Sequence, residues 1–170
     1  AVRLIFANIR EAYQDGSNMR ARKQMLRAAY LAGNAFTRSY VGYVHAVAHS
    51  LGGKYNTPHG LANAVLLPFV LEAYGQTAHR PLHALAVAVG ISDWRESDEE
   101  GAVKFIEAIR QMKKDLSIGD TICGIQKKDI PGLARQAEKE ANPLYPVPDL
   151  MTAKQLEEFY YMVMEEETHA

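Results

Sequence analysis

Three of the chain's six histidines lie in the stretch VHAVAHSLGGKYNTPHG, at His45, His49 and His59. On a helix, His45 and His49 at i and i+4 project from one face, a turn apart, where two imidazoles can reach one ion. His59 then arrives from a second helix after a short turn. Imidazole nitrogen suits Fe(II), Zn(II), Ni(II) or Cu(II), and no thiolate stands nearby to make a cysteine-rich structural zinc site. Spacing alone leaves three readings open: a metal site, a catalytic base with its neighbours, or histidines hydrogen-bonded inside a helical core. A bare HxxxH is more often a helix face than a ligand pair, so the core reading leads at this point. A catalytic ion would also want a carboxylate or a further imidazole beside an open position. The candidates are poor: Asp15, Asp93, Glu99 and Glu100 fall at predicted helix ends or loops, as capping or solvated charges. His79 and His83 form a second HxxxH, expected on an exposed helix face. Part of any ligand set is therefore expected outside this sequence.

The elements that must position these residues are helical nearly throughout. Val2, Ile5, Phe6, Ile9, Ala12 and Tyr13 follow the helical period from the first residues, with no capping side chain ahead of them, as after loss of an initiator Met or in a chain that opens partway through a longer protein. A second helix carries Ala21, Met25, Ala28, Ala29, Ala32, Ala35 and Phe36 on one stripe. The histidine helix is expected from about Val41 to Leu51, broken by the glycines of LGGKYN. Thr57 followed by Pro58 reads as a restart, with Thr as cap and Pro at the first helical position, which puts His59 in the first turn of GLANAVLLPFVLEAYG. That helix is apolar nearly all round and is expected to be buried. A helix ending at Gly90 accounts for ALAVAVG. Ser97 with Glu100 and Thr152 with Gln155 are capping-box pairs heading runs to about Leu116 and about Glu165, and a further helix ends near Ala141 before a proline-rich extended segment. The sum is one all-α domain, residues 1–170, of about seven helices.

Composition narrows the partners. Lys+Arg 19 against Asp+Glu 20, with the basic residues scattered, sets up no field for nucleic acid or a membrane surface. The apolar runs AVLLPFVL and ALAVAV are far shorter than the roughly 20 residues of a membrane span, and the start lacks the features of a signal peptide. A lone cysteine, Cys123, makes no demand for an oxidising compartment, so the cytoplasm is the expected location.

VHAVAHSLGGKYNTPHGLANAVLLP resembles the signature of the iron-containing, group III alcohol dehydrogenases, of the form G-x-x-H-A-x-A-H-x-L-G-G-x-Y-x-T-P-H-G-x-A-N-A-x-L-L-P. The likeness runs on through MLRAAYLAGNAF before it and GIQKKDIPGLARQAEKEANPLYPVPDLMTAKQLEEFYYMVM after it. Such enzymes pair an amino-terminal nucleotide-binding domain for NAD or NADP with an all-helical carboxyl-terminal domain that supplies the metal, and this chain looks like the second. The resemblance implies that His45 and His59 are metal ligands, that His49 lines the pocket near nicotinamide and substrate, and that Phe36 borders the substrate pocket, with a plain core aromatic as its other reading. The remaining ligands, an aspartate and a histidine, belong to a helix upstream of Ala1. Ser50 stands where proline is common, a change expected to alter the local turn more than the chemistry.

The resemblance implies hydride transfer between a small alcohol or aldehyde and NAD or NADP, with Fe(II), or Zn(II) in some relatives, polarising the substrate oxygen. The isolated chain is expected to be inactive and to bind metal weakly or not at all, and weaker still as its histidines protonate. Its expected partners are the missing nucleotide-binding domain and further copies of itself, since relatives commonly assemble as dimers or larger. The competing reading is a free-standing, non-catalytic helical module that binds a metal or a partner. A metal-dependent phosphohydrolase ranks low, because no His-Asp dipeptide occurs.

Overall fold

The structure, a computed structural model, describes residues 1–165; positions 166–170 of the expected domain lie outside them. The described residues form eight α-helices, against about seven expected, and one 3-10 turn at Lys127–Asp129. Among them the only β-type pairing is an isolated bridge between Ile122 and Met164. No helix among them is long and apolar enough to cross a membrane. The helices gather into two compact units, one from Ala1–Tyr40 with Gly75–Ser117, the other from Val41–Tyr74 with the chain from Ile118 onward.

The first unit holds α1 (Val2–Gln14), α2 (Met19–Ser39), α5 (Gln76–Ala88) and α6 (Asp98–Asp115). α1 packs on α2, and α5 on α6. Phe6 stacks on Phe105 with ring centroids 5.7 Å apart, and Arg3 Nε donates to the Ala88 carbonyl at 2.9 Å. The expected stripe on α2 is buried only in its first half, at Ala21 and Ala28; Ala29, Ala35 and Phe36 are exposed. Phe36, read in the sequence as a pocket border or a plain core aromatic, is 50% exposed on this chain. The Ser97–Glu100 capping box forms as the sequence predicts, with Ser97 Oγ accepting from the Glu100 amide and the Glu100 carboxylate accepting from the Ser97 amide.

His83 departs from its expected place on an exposed face, because its side chain is buried at 2% exposure. Its Nδ1 lies 2.9 Å from Asp98 Oδ1 and its Nε2 lies 3.0 Å from the Asp93 carbonyl. A carboxylate and a carbonyl both only accept, so both ring nitrogens must donate and the ring is satisfied as imidazolium. Trp94 packs beside it, the ring centroids 5.6 Å apart and the planes tilted by 52°. The hydrogen bonds that His83 donates to Asp98 and to the Asp93 carbonyl raise its pKa above the ordinary value against the opposing effect of burial, and the Asp98 and Glu96 charges add to the rise. A pKa raised on folding stabilises fully below the unfolded value, and the gain is lost as pH climbs through the folded one. Thermal melts from about pH 6 to about pH 9 should therefore show the gap between wild type and His83→Gln shrinking as pH rises. A gap constant across that range would contradict the imidazolium.

The second unit is built on α3 (Tyr43–Tyr55), which packs against α4 (His59–Ala73), α7 (Ile130–Ala141) and α8 (Ala153–Val163). Tyr43, Ala46, Val47 and Leu51 of α3 are fully enclosed among Val65, Leu66, Leu156 and Tyr160. The Thr152–Gln155 capping box starts α8 as expected. The break expected at Gly52-Gly53 does not occur. α3 runs through both glycines and ends at Asn56, which takes the left-handed conformation with φ 60°. A helical glycine costs about 1 kcal/mol against alanine, whereas each buried Val or Leu contributes about 1.5–3 kcal/mol, so the packed face carries the helix past them. Ser50, expected to shape a local turn, lies inside this continuous helix. Its hydroxyl donates to the Val47 carbonyl at 2.8 Å and meets the Tyr160 hydroxyl at 2.6 Å. With the Ser50 proton committed to Val47, Tyr160 is the donor between them, and burial holds its phenol well above the ordinary range.

Candidate functional site

All three motif histidines sit in the second unit. His45 and His49 lie a turn apart on α3, whose amide ladder is entered through Gly42, with the His45 and Ala46 amides bonded to the Gly42 carbonyl. α4 begins at His59 itself, one residue later than the sequence predicts, with Pro58 rather than Thr57 in the cap position and no side-chain capping bond there. Three residues, Asn56 to Pro58, thus turn the chain from the helix of His45 and His49 to the helix that His59 opens.

The three rings form a near-equilateral triangle. Centroid separations are 5.4 Å for His45–His59, 5.4 Å for His49–His59 and 5.8 Å for His45–His49. With metal–imidazole bonds of about 2.1 Å, two rings around one tetrahedral ion stand roughly 5 Å apart, so the His45–His59 pair has the right separation to share an ion. His45 is half-buried, and that burial, with the neighbouring His59 and His49 charges, holds its pKa below the ordinary imidazole value, while Glu140 pulls weakly the other way. A neutral ring with a free lone pair is what a metal ligand needs. Among the described residues no group of three or more His, Cys, Asp or Glu side chains is placed to hold an ion. The residues present therefore fit one edge of a metal centre.

Distance does not separate His49 from the other two; its hydrogen bond does. His49 Nδ1 lies 2.7 Å from Glu140 Oε1, near the end of α7, and the Tyr145 hydroxyl donates to the same oxygen at 2.8 Å. Asn63, one turn along α4 from His59, donates to the His59 carbonyl at 2.8 Å and lies within 3.3 Å of both ring nitrogens. Its Oδ1 is buried and has no hydrogen-bond partner.

The family model described as Fe-containing alcohol dehydrogenase family, C-terminal, matches residues 1–164. The chain belongs to the iron-containing alcohol dehydrogenase family. It is similar to the 1,3-propanediol dehydrogenase of Klebsiella pneumoniae, 42% identical over 145 residues that make up 84% of this chain and 37% of that protein. Alcohol dehydrogenase 4 of Saccharomyces cerevisiae is 39% identical over 142 residues, 81% of this chain and 36% of that one. A crystal structure of a 1,3-propanediol oxidoreductase matches with a TM-score of 0.88 at 35% identity, covering 96% of this chain and 43% of the other. The chain thus spans little more than a third of the length of these curated relatives.

Within this family member, the second unit brings His45, His49 and His59 together as the motif suggests, while Phe36 belongs to the first unit. Sequence reasoning missed Asn63, Glu140 and Tyr145. Asn63 was within reach, since H-x-x-x-N repeats the i, i+4 geometry inside the motif. Glu140 was not, because it meets His49 across 91 positions and no local pattern encodes that pairing.

Proposed function

We propose that this chain is the metal-binding portion of an NAD(P)-dependent alcohol dehydrogenase that interconverts small alcohols and aldehydes by hydride transfer. The observation that carries the reading is the His45–His59 pair, 5.4 Å apart on consecutive helices. His45 and His59 are the metal ligands contributed by this chain, and the rest of the set comes from residues upstream of it. When bound, the divalent ion, Fe(II) or Zn(II), supplies Lewis acidity toward a substrate oxygen, and the nicotinamide supplies the hydride-accepting ring. His45 stays neutral because burial disfavours its charge, so its lone pair is available near pH 7. His49, with one ring nitrogen committed to Glu140, keeps the other free to hold or pass the proton of the substrate hydroxyl. Phe36 borders the substrate pocket in this reading, its half-exposed ring left open on α2.

The partner this requires is a nucleotide-binding domain, and without one the chain turns nothing over. Joined to the nucleotide-binding domain of a family relative and loaded anaerobically with Fe(II) or Zn(II), the chain should support alcohol-dependent reduction of NAD or NADP. A folded, nucleotide-binding and metal-loaded assembly that reduces neither cofactor, across simple alcohols and diols, would reject the proposal. The 170-residue chain alone serves as the inactive control.

A further inference from the structure

His49 is 41% exposed at its side chain, yet it is not a free surface imidazole. One of its nitrogens is held by a carboxylate oxygen that is itself held by a second group. Glu140 Oε1 accepts from His49 Nδ1 at 2.7 Å and from the Tyr145 hydroxyl at 2.8 Å. Tyr145 is anchored in turn, its amide donating to the Ala141 carbonyl at 2.8 Å just past the end of α7. Its phenol, pushed up to about 12 by burial and by the Glu140 bond, stays protonated and so remains a donor to Glu140. Helix packing brings the two parts together, since α3 lies against α7.

A carboxylate beside Nδ1 has one chemical consequence for a neutral imidazole. It can only accept, so the ring proton resides on Nδ1 and Nε2 keeps its lone pair. The bond also fixes the ring about its χ2 axis, and His49 stands nearly parallel to His59, with 22° between the planes and 5.4 Å between centroids. A charge-assisted hydrogen bond of this kind contributes roughly twice what a neutral one does.

We propose that Glu140, buttressed by Tyr145, is a positioning residue that sets the tautomer and orientation of His49, so that Nε2 is presented as a proton acceptor. The catalytic half of this inference rests on the proposed function, in which His49 serves the reacting groups; the tautomer half does not. Long-range 1H–15N spectra of the 170-residue chain at about pH 8.5, where an ordinary imidazole is neutral, report the tautomer directly, with the His49 signals assigned from His49→Gln. Wild type should show a dominant Nδ1–H form. Glu140→Leu should lower the ratio of Nδ1–H to Nε2–H by about tenfold or more, the loss of one charge-assisted bond. Glu140→Gln, which keeps an acceptor oxygen, should restore most of it and guards against a merely misfolded Leu variant. A dominant Nε2–H form in wild type, or an unchanged ratio in a folded Glu140→Leu, overturns the proposal. In the assembled dehydrogenase Glu140→Leu should cut kcat by about 10- to 100-fold with KM little changed, as losses of such orienting partners do, and Glu140→Gln should recover most of it. If the spectra shift as expected while kcat stays at the wild-type value, the positional device stands and the catalytic role of His49 falls.

Discussion

Replacing Gly101 with alanine should destabilise the first unit, although it adds a better helix former to α6. Helix propensity favours the change by about 1 kcal/mol. Space opposes it: a Cβ at position 101 would meet the imidazole of His83 at Cδ2 and Cγ inside contact distance and come within 2.8 Å of its Cβ. That clash cannot be relieved by swinging a flexible tip aside, because the atoms nearest the new methyl are the ring and the root of a buried side chain. Overpacking of this kind costs typically about 1–3 kcal/mol and occasionally more. The displaced ring would also lose its bonds to Asp98 and the Asp93 carbonyl. The net expectation is a loss of at least about 2 kcal/mol, a fall in Tm of at least roughly 4 °C for a chain of this size. Combining Gly101→Ala with His83→Ala should recover a good part of the steric cost, giving a coupling of about 1 kcal/mol or more in the double-mutant cycle. A single variant more stable than wild type would mean that propensity wins and that the close approach of α5 and α6 is not as described.

The second large effect belongs to the metal. In the assembled enzyme, His45→Ala and His59→Ala should each lower Fe(II) or Zn(II) affinity by more than about 100-fold, because even residues that only orient a ligand are worth about 10–100-fold. Turnover should fall in step, whereas His49→Ala should leave bound metal near full stoichiometry and lower kcat alone. The contrast is the test, since all three rings sit at similar distances from one another. Anaerobic equilibrium dialysis with metal analysis measures it. Full metal content in both His45→Ala and His59→Ala would remove their proposed ligand roles, and loss of metal in His49→Ala would move that residue into the ligand set.

The features legible in the sequence are those decided within a turn or two. The capping boxes at Ser97 and Thr152 appear as written because each joins residues three apart, and the histidine pair of α3 shares a face because i, i+4 dictates it. Local rules failed where tertiary contacts outweighed them. Gly52 and Gly53 carry a stop signal that the enclosed face of α3, Tyr43 through Leu51, overrides. His83 reads as surface from its HxxxH neighbours, but its partners, Asp93 and Asp98, arrive from the next loop and the next helix. The small-residue stripe of α2 runs from Ala21 to Phe36, while only Ala21 and Ala28 are fully buried on it. Glu140 and Tyr145 were invisible because α7 is brought to α3 by the core and not by any repeat in the sequence.

The three-residue turn between α3 and α4 bears on the order in which the site assembles. Closing a loop that short costs little chain entropy, so the His45–His59 edge can form as soon as two neighbouring helices dock. The Glu140 contact to His49 must wait for a closure of 91 positions, and non-local closures of that kind slow folding. On these grounds His45 and His59 should come together early in folding, and the Glu140 brace on His49 should form late.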